Sequence, residues 1–245
     1  MQTHTFQSLT RNDSRLVTRD SFLLMMAGYV IVIAVVLRFA VPWLTNTLME
    51  AAGFDLVPYY PAIAGWLIVT IGPQIAGTVF GFLLLEEKDA HTLEALMVTP
   101  LSLDGFLSYR VLIATVVGFI TALVSLLIIN LVDLPFYQMV LISVVAGLYA
   151  PIAMLFYSTV ADNKVEAFAL LKITGLLSFL PIAAWFLKVP WQYLAGIFPP
   201  FWASKSLWVA ADGGGNWWIF LLIGLVESAA VIWWLMRRFQ KVATS

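Results

Sequence analysis

The sequence predicts an all-α integral membrane protein with six transmembrane helices. Three observations lead there. Of its 245 residues, 62% are hydrophobic and 11% are charged, whereas a soluble domain is about half apolar and a quarter charged. The mean hydropathy is +0.94. The apolar residues fall into six stretches, each long enough to cross about 30 Å of hydrocarbon as a helix. Those stretches are continuous rather than alternating, which argues against a β-barrel. A net charge of −1 leaves no electrostatic footprint for nucleic acid. The lack of cysteine excludes disulfides, thiolate metal sites, iron–sulfur clusters and a cysteine nucleophile.

Residues 1–20 are polar, with Arg11, Arg15 and Arg19 spaced four apart among Phe6, Leu9, Leu16 and Val17. This pattern suits an amphipathic helix on anionic headgroups and equally a solvated topogenic tail. The first span, 21–44, is too long for a signal-peptide core and is followed by no small-residue cleavage site. It is read as a retained helix. The second span, 61–85, contains Gly72-Pro73, where proline removes a backbone hydrogen bond. Pro73 is expected as a hinge and the adjacent Gln74 as a cavity-lining group. Gly77-x-x-x-Gly81 permits close helix packing. The third and fourth spans, 105–132 and 138–160, are joined by a tight turn. The fifth and sixth cover 168–187 and 216–236.

The connection 188–215 is apolar and aromatic but interrupted by Pro190, Pro199 and Pro200. It is too broken for a straight span and fits a re-entrant or interfacial pair of short helices. Its aromatic residues, Trp191, Tyr193, Phe198, Phe201, Trp202 and Trp208, read first as an outer interfacial belt. Gly213–Gly215 reads as a flexible joint into the last span. Glu227 stands near the middle of the sixth span, where a carboxyl group costs at least a few kcal/mol. Three readings compete for it: a structural group bonded to Ser228 or Gln74, a path-lining group that meets polar or cationic substrate, or a marker of a dimer interface.

Lysine and arginine set the sidedness. With the N-terminus inside, the inner segments hold Arg11, Arg15, Arg19, Lys88, Arg110, Lys164, Lys172, Arg237, Arg238 and Lys241, and the outer ones hold Arg38, Lys188 and Lys205. This bias places both termini in the cytoplasm.

The inner segment after the second span is the only charge-dense part of the middle of the chain, with Glu86, Glu87, Lys88, Asp89 and Glu94 close together. Leu93, Leu96 and Met97 fall at i, i+3 and i+4, on one helical face. Thr99-Pro100 ends or bends that helix, and Asp104 can cap the third span. The result is a short amphipathic helix at the membrane surface.

The run E-K-D-A-H-T-L-E-A-L-M-V-T-P-L-S resembles the signature of ABC-2 type transporter permeases. Those proteins carry an acidic-basic stretch, then T-L-E-x-L, then T-P-[L/I/V]-S. The matching positions are Glu87, Lys88, Thr92, Leu93, Glu94, Leu96, Thr99, Pro100 and Ser102. His91 stands where members often have Gly. The likeness extends to six spans, internal termini, an N-terminal interfacial helix and a broken outer segment. Among such permeases the chain is most similar to small bacterial ones of multidrug or fluoroquinolone export.

The resemblance implies a single transmembrane domain over 1–245, with an interfacial segment at 1–20, a coupling loop at 86–104 and an outer re-entrant segment at 188–215. It implies a coupling helix seated in a cleft of a separate ATPase, with contacts from Glu87, Lys88, Thr92, Leu93, Glu94, Leu96, Met97, Thr99 and Pro100. It also implies an outer gate at Phe198, Pro199, Pro200, Phe201 and Trp202. Glu227, Gln74 and Pro73 are candidates for the substrate path.

The chain has no G-x-x-x-x-G-K-[S/T] loop, so ATP and Mg are expected in the partner and no cofactor in this chain. No catalytic residue is assigned, and His4 and His91 are too isolated for a metal site. The expected assembly has two ATPase copies and a second permease, as homodimer or heterodimer, in the lipid of the inner or plasma membrane. Its substrate would be amphipathic: a drug, a lipid or a lipid-linked molecule. The alternative is a proton-coupled secondary transporter using Glu227, but no inverted repeat supports it. An intramembrane hydrolase lacks G-x-S-x-G, H-E-x-x-H and paired aspartates. A plain membrane scaffold would not need the coupling-like loop.

Overall fold

A computed structural model describes residues 21–89 and 103–243, and six of its helical stretches are long and apolar enough to cross a membrane. No strand occurs among the described residues. The predicted segment 1–20 and the loop core 90–102 lie outside the described residues.

The first span is helix α1, Ser21–Ala52. At 1.5 Å per residue its 32 residues measure about 48 Å. It therefore exceeds the hydrocarbon thickness and runs past the predicted stop at residue 44.

The second span begins with a 3-10 turn, Val57–Tyr59, and continues as α2, Tyr60–Thr70, and α3, Pro73–Asp89. The interruption falls at Ile71–Gly72, where Pro73 was expected to loosen the helix, because Pro73 has no N–H to offer the carbonyl of Val69.

The same device breaks two further spans that were expected to be straight. The fourth divides into α5, Phe136–Gly147, and α6, Tyr149–Val160. Here Pro151 leaves the carbonyl of Gly147 without its helical donor. The fifth divides into α7, Lys164–Leu177, and α8, Leu180–Trp185, and Pro181 does the same to Leu177.

The remaining boundaries follow local chemistry. The third span, α4, covers Leu103–Ile129. It stops at Asn130, whose φ of 47° is a conformation that asparagine tolerates better than most residues. Asp104, expected as a cap, lies inside the first turn. Helix α7 starts earlier than expected because the Asn163 side chain accepts from the backbone N–H of Glu166 at 3.1 Å, satisfying an orphan donor of the first turn. The Glu166 carboxylate returns to the N–H of Asp162 at 2.9 Å.

Between the fifth and sixth spans lie a 3-10 turn, Trp191–Ile197, and helix α9, Pro200–Ala211. Gly213, at φ 73°, ends α9 in a left-handed turn that costs glycine nothing. The amide of Gly214 bonds the carbonyl of Val209 at 2.8 Å. The glycine run is thus a hydrogen-bonded stop. The sixth span, α10, covers Trp217–Ala243 and continues through Arg237, Arg238 and Lys241, beyond the predicted end at residue 236.

The second and fourth spans form the buried centre, and the other four stay largely at the periphery. The most extensive helix contact is α3 against α6. Gly77 makes it possible, since a Cβ there would lie 2.5 Å from the carbonyl oxygen of Ala150. Close approach in lipid depends on such small residues, because lipid tails supply no hydrophobic drive between helices. Helix α9 is the second central feature. It packs on α2, α5 and α10, and its Phe201 and Leu207 are fully buried.

Candidate functional site

The two flanks of the T-L-E/T-P segment are part of a polar clamp. Helix α3 ends in Glu86, Glu87 and Lys88, each paired with a different element. Glu87 accepts from Arg110 Nη2 on α4. Lys164, in the first turn of α7, donates to Glu86. Lys88 Nζ stands 3.5 Å from Asp162 Oδ1 and 3.4 Å from the Ala161 carbonyl. On the other flank, Asp104 accepts from Gln240 Nε2 near the end of α10. The clamp joins the second, third and sixth spans to the turn between the fourth and fifth.

Arg110 is 1% exposed, and its guanidinium also lies 5.2 Å from the centre of the Phe106 ring. A buried guanidinium is tolerable only when its charge is matched. Arg237 and Arg238 cover the rings of Trp233 and Trp234 at 5.7 and 5.5 Å, a cation–π contact.

Sequence reasoning singled out Glu87 and Lys88 but missed their partners Arg110 and Asp162. Arg110 had registered only as a sidedness marker. The other predicted coupling residues, Thr92, Leu93, Glu94, Leu96, Met97, Thr99 and Pro100, lie outside the described residues.

Pro73 and Gln74 lie in the bundle interior. Gln74 is buried, and its backbone carbonyl accepts from Thr78 Oγ1 at 2.8 Å. The Tyr157 hydroxyl bonds Thr174 Oγ1 at 2.6 Å, joining the fourth and fifth spans.

Of the five predicted gate residues, Trp202 meets Glu227 directly. Phe198, Pro199 and Pro200 make the turn between the 3-10 segment and α9, which carries Phe201 and Trp202. The indole N–H of Trp202 donates to Glu227 Oε2 and lies 3.0 Å from the carbonyl oxygen of Gly196. The expected partners of Glu227, Ser228 and Gln74, give way to Trp202. That pairing follows from periodicity: Phe220, Gly224 and Glu227 stand at i, i+4 and i+7 of α10 and present one face.

Trp202 occupies a slot made for its ring. A Cβ at Gly196 would lie 2.4 Å from Trp202 Cζ2, and one at Gly224 would lie 2.8 Å from Trp202 Cβ. Tyr193 and Phe220 lie nearly parallel to the indole, at 6.2 Å and 17° and at 6.3 Å and 13°, and 6.3 Å from each other, so the three rings form one cluster.

The rest of the segment is anchored. Ser204 Oγ donates to the carbonyl of Gly65 at 2.6 Å, and Ser206 Oγ to that of Trp217 at 3.0 Å. Lys205 donates to Gln192 Oε1 at 2.8 Å and sits 5.7 Å from the rings of both Trp208 and Phe220. Burial pushes its ammonium below the ordinary lysine range, with Asp212 opposing. The aromatic residues of 188–215 therefore do not form one belt. Trp191 is exposed, whereas Phe201 and Trp208 belong to the core.

An apolar groove of about 440 Å³ lies beside this region, lined by Phe54, Tyr59, Ile63, Ile182 and Phe186 among others. No cluster of metal-ligating side chains occurs among the described residues.

Residues 13–236 match the family model described as fluoroquinolones export permease protein Rv2686c-like. The chain is also similar to two Mycobacterium tuberculosis proteins, each named a fluoroquinolones export permease protein: MT2760 of strain CDC 1551 / Oshkosh and Rv2686c of strain ATCC 25618 / H37Rv. Each is 35% identical over 232 residues, covering 94% of this chain and 92% of the relative.

Proposed function

The chain belongs to the Rv2686c-like family of fluoroquinolone export permeases, and from that premise we propose that it is the membrane subunit of an ATP-driven ABC exporter. In this reading two copies of a separate ATPase hold ATP and Mg, and the permease pairs with a second permease chain in the plasma membrane. Both termini face the cytoplasm. The substrate is an amphipathic aromatic drug of the kind named for the relatives.

The observation that supports this best is the clamp around the T-L-E/T-P segment. Glu87 and Lys88 hold its first flank, tied to the third span and to the turn between the fourth and fifth, and Asp104 holds its second, tied to the sixth span. Thr92, Leu93, Glu94, Leu96, Met97, Thr99 and Pro100 would meet the ATPase. A push on that segment would therefore reach the second, third and sixth spans together, and through α10 the outer segment that rests on Glu227.

The test is reconstitution of the chain with a candidate partner ATPase, in inside-out vesicles. ATP is expected to drive accumulation of a fluoroquinolone, and a non-hydrolysable analogue to stop it. Accumulation that follows an imposed proton gradient without nucleotide would overturn the reading in favour of a proton-coupled carrier acting through Glu227.

A further inference from the structure

The contact between Trp202 and Glu227 joins a midspan carboxyl group to an element that is not itself a span. Glu227 is the eleventh residue of α10 by position, so it stands roughly 15 Å along the helix from Trp217. Trp202 reaches that depth from α9. Two glycines clear the space for its ring, one on the 3-10 turn and one on α10. It shares a cluster of three nearly parallel rings with Tyr193 and Phe220. Its single polar atom faces the carboxyl group. Mere packing would need the glycines and the rings. It would not need an acidic residue inside the membrane, where such groups are costly and mark function.

We propose that Trp202 and Glu227 are the latch of the outer gate, and that the carboxylate exchanges the indole N–H for the ammonium of a cationic amphipathic substrate as the gate opens. The inference rests on the exporter reading and adds the substrate class that the gate recognises. The chemistry favours the exchange in one direction. A neutral indole offers the carboxylate one N–H and no charge, whereas an ammonium offers several N–H donors together with the opposite charge. Once the indole is displaced, nothing polar on α10 holds Trp202 in its slot, and the 3-10 turn that rests on its ring can lift while Ser204 and Ser206 keep α9 anchored. Tyr193 and Phe220, the rings clustered with the indole, then offer aromatic faces to the departing molecule. When the substrate leaves, the carboxylate takes back the indole and the gate closes.

Two conservative variants separate the latch from the cation site. Trp202→Phe keeps a ring in the slot and removes the N–H. Glu227→Gln keeps an acceptor oxygen for the indole and removes the charge.

A cysteine at Val145 reports the slot, because its side chain packs against Gly224 beside Trp202 and is 6% exposed. The chain has no cysteine of its own. In membranes without nucleotide, a water-soluble maleimide should label Val145→Cys slowly. Trp202→Phe should speed that labelling about tenfold, the size expected for losing a hydrogen bond to a charged group. Glu227→Gln should leave it close to the parent rate.

In the purified full chain with its ATPase, a cationic aromatic amine should bind about tenfold more tightly than its neutral N-acetylated counterpart. Trp202→Phe should keep that preference and Glu227→Gln should abolish it. Labelling of Trp202→Phe at the parent rate would overturn the latch. A preserved cation preference in Glu227→Gln would overturn the exchange. Neither measurement reads transport, so a chain that fails to export under ATP leaves both results standing on their own.

Discussion

Arg110 and Glu87 are the pair in which one side chain most constrains the rest. The guanidinium is 1% exposed and the carboxylate 18%, so removing one takes from the other the opposite charge it faces in a largely buried setting. Arg110→Leu should therefore destabilise the chain by about 3 kcal/mol or more. Arg110→Leu combined with Glu87→Leu should recover most of that loss, since apolar replacement of both members of a buried pair is often nearly neutral. Thermal unfolding of the two variants in detergent checks this. A double variant no more stable than the single one would show that the pair is not what holds Arg110. At this scale the sequence was legible where chemistry is local. Glu87 and Lys88 stood out because charge is rare in this chain. Their partners did not, because Arg110 lies 23 residues from Glu87 and Lys164 lies 78 from Glu86. Residue type does not encode such distances. Trp202 and Glu227 were each singled out, but the bond that joins them was missed for the same reason.

Helices α3 and α4 carry the segment whose exchange of force with the ATPase defines the exporter reading, and its apolar face gives that reading a direct test. Leu93→Asp places a charge where a docking contact is proposed, and Glu94→Lys reverses a charge beside it. Both variants should reach the membrane at normal levels and lose transport-linked ATP hydrolysis, Leu93→Asp the more completely. Normal substrate-stimulated hydrolysis in both would remove the segment from the coupling path. All six spans were legible as elements, because a continuous apolar run of that length has few other uses. Breaks within spans were legible only in part. Gly72-Pro73 announced one, since glycine and proline stood side by side. Pro151 and Pro181 interrupt the fourth and fifth spans in the same way, yet neither has a flanking breaker to draw attention. Helix ends were missed wherever polar chemistry set them. Asn163 starts α7 early by capping it, and α10 runs on because its terminal arginines lie over Trp233 and Trp234.

For the whole molecule, the bias of lysine and arginine predicts a single orientation, and the clamp gathers Lys88, Arg110, Lys164 and the end of α10 at one end of the bundle. Cysteines at Asp133 and Asp212 should react with an impermeant thiol reagent in intact cells, and one at Asp162 only after permeabilisation. All three side chains are exposed, so an unreactive position reflects sidedness rather than burial. Labelling of position 162 in intact cells would invert the topology. The architecture was legible from composition alone, but the burial of α9 was not. A broken aromatic segment reads as a surface belt until the space it fills is known. That space gives the molecule a history. The carbonyl of Gly65 waits for the hydroxyl of Ser204, 139 residues later in the chain, which at ribosomal rates of about 5–20 residues per second is roughly 7–28 s. Until then α2, joined by α5 once residues 136–147 are made, stands in the bilayer with the gap unfilled, open to lipid or to whatever assists insertion. The bundle is closed from within by its next-to-last helix, so the protein is built open and sealed only as its final third arrives.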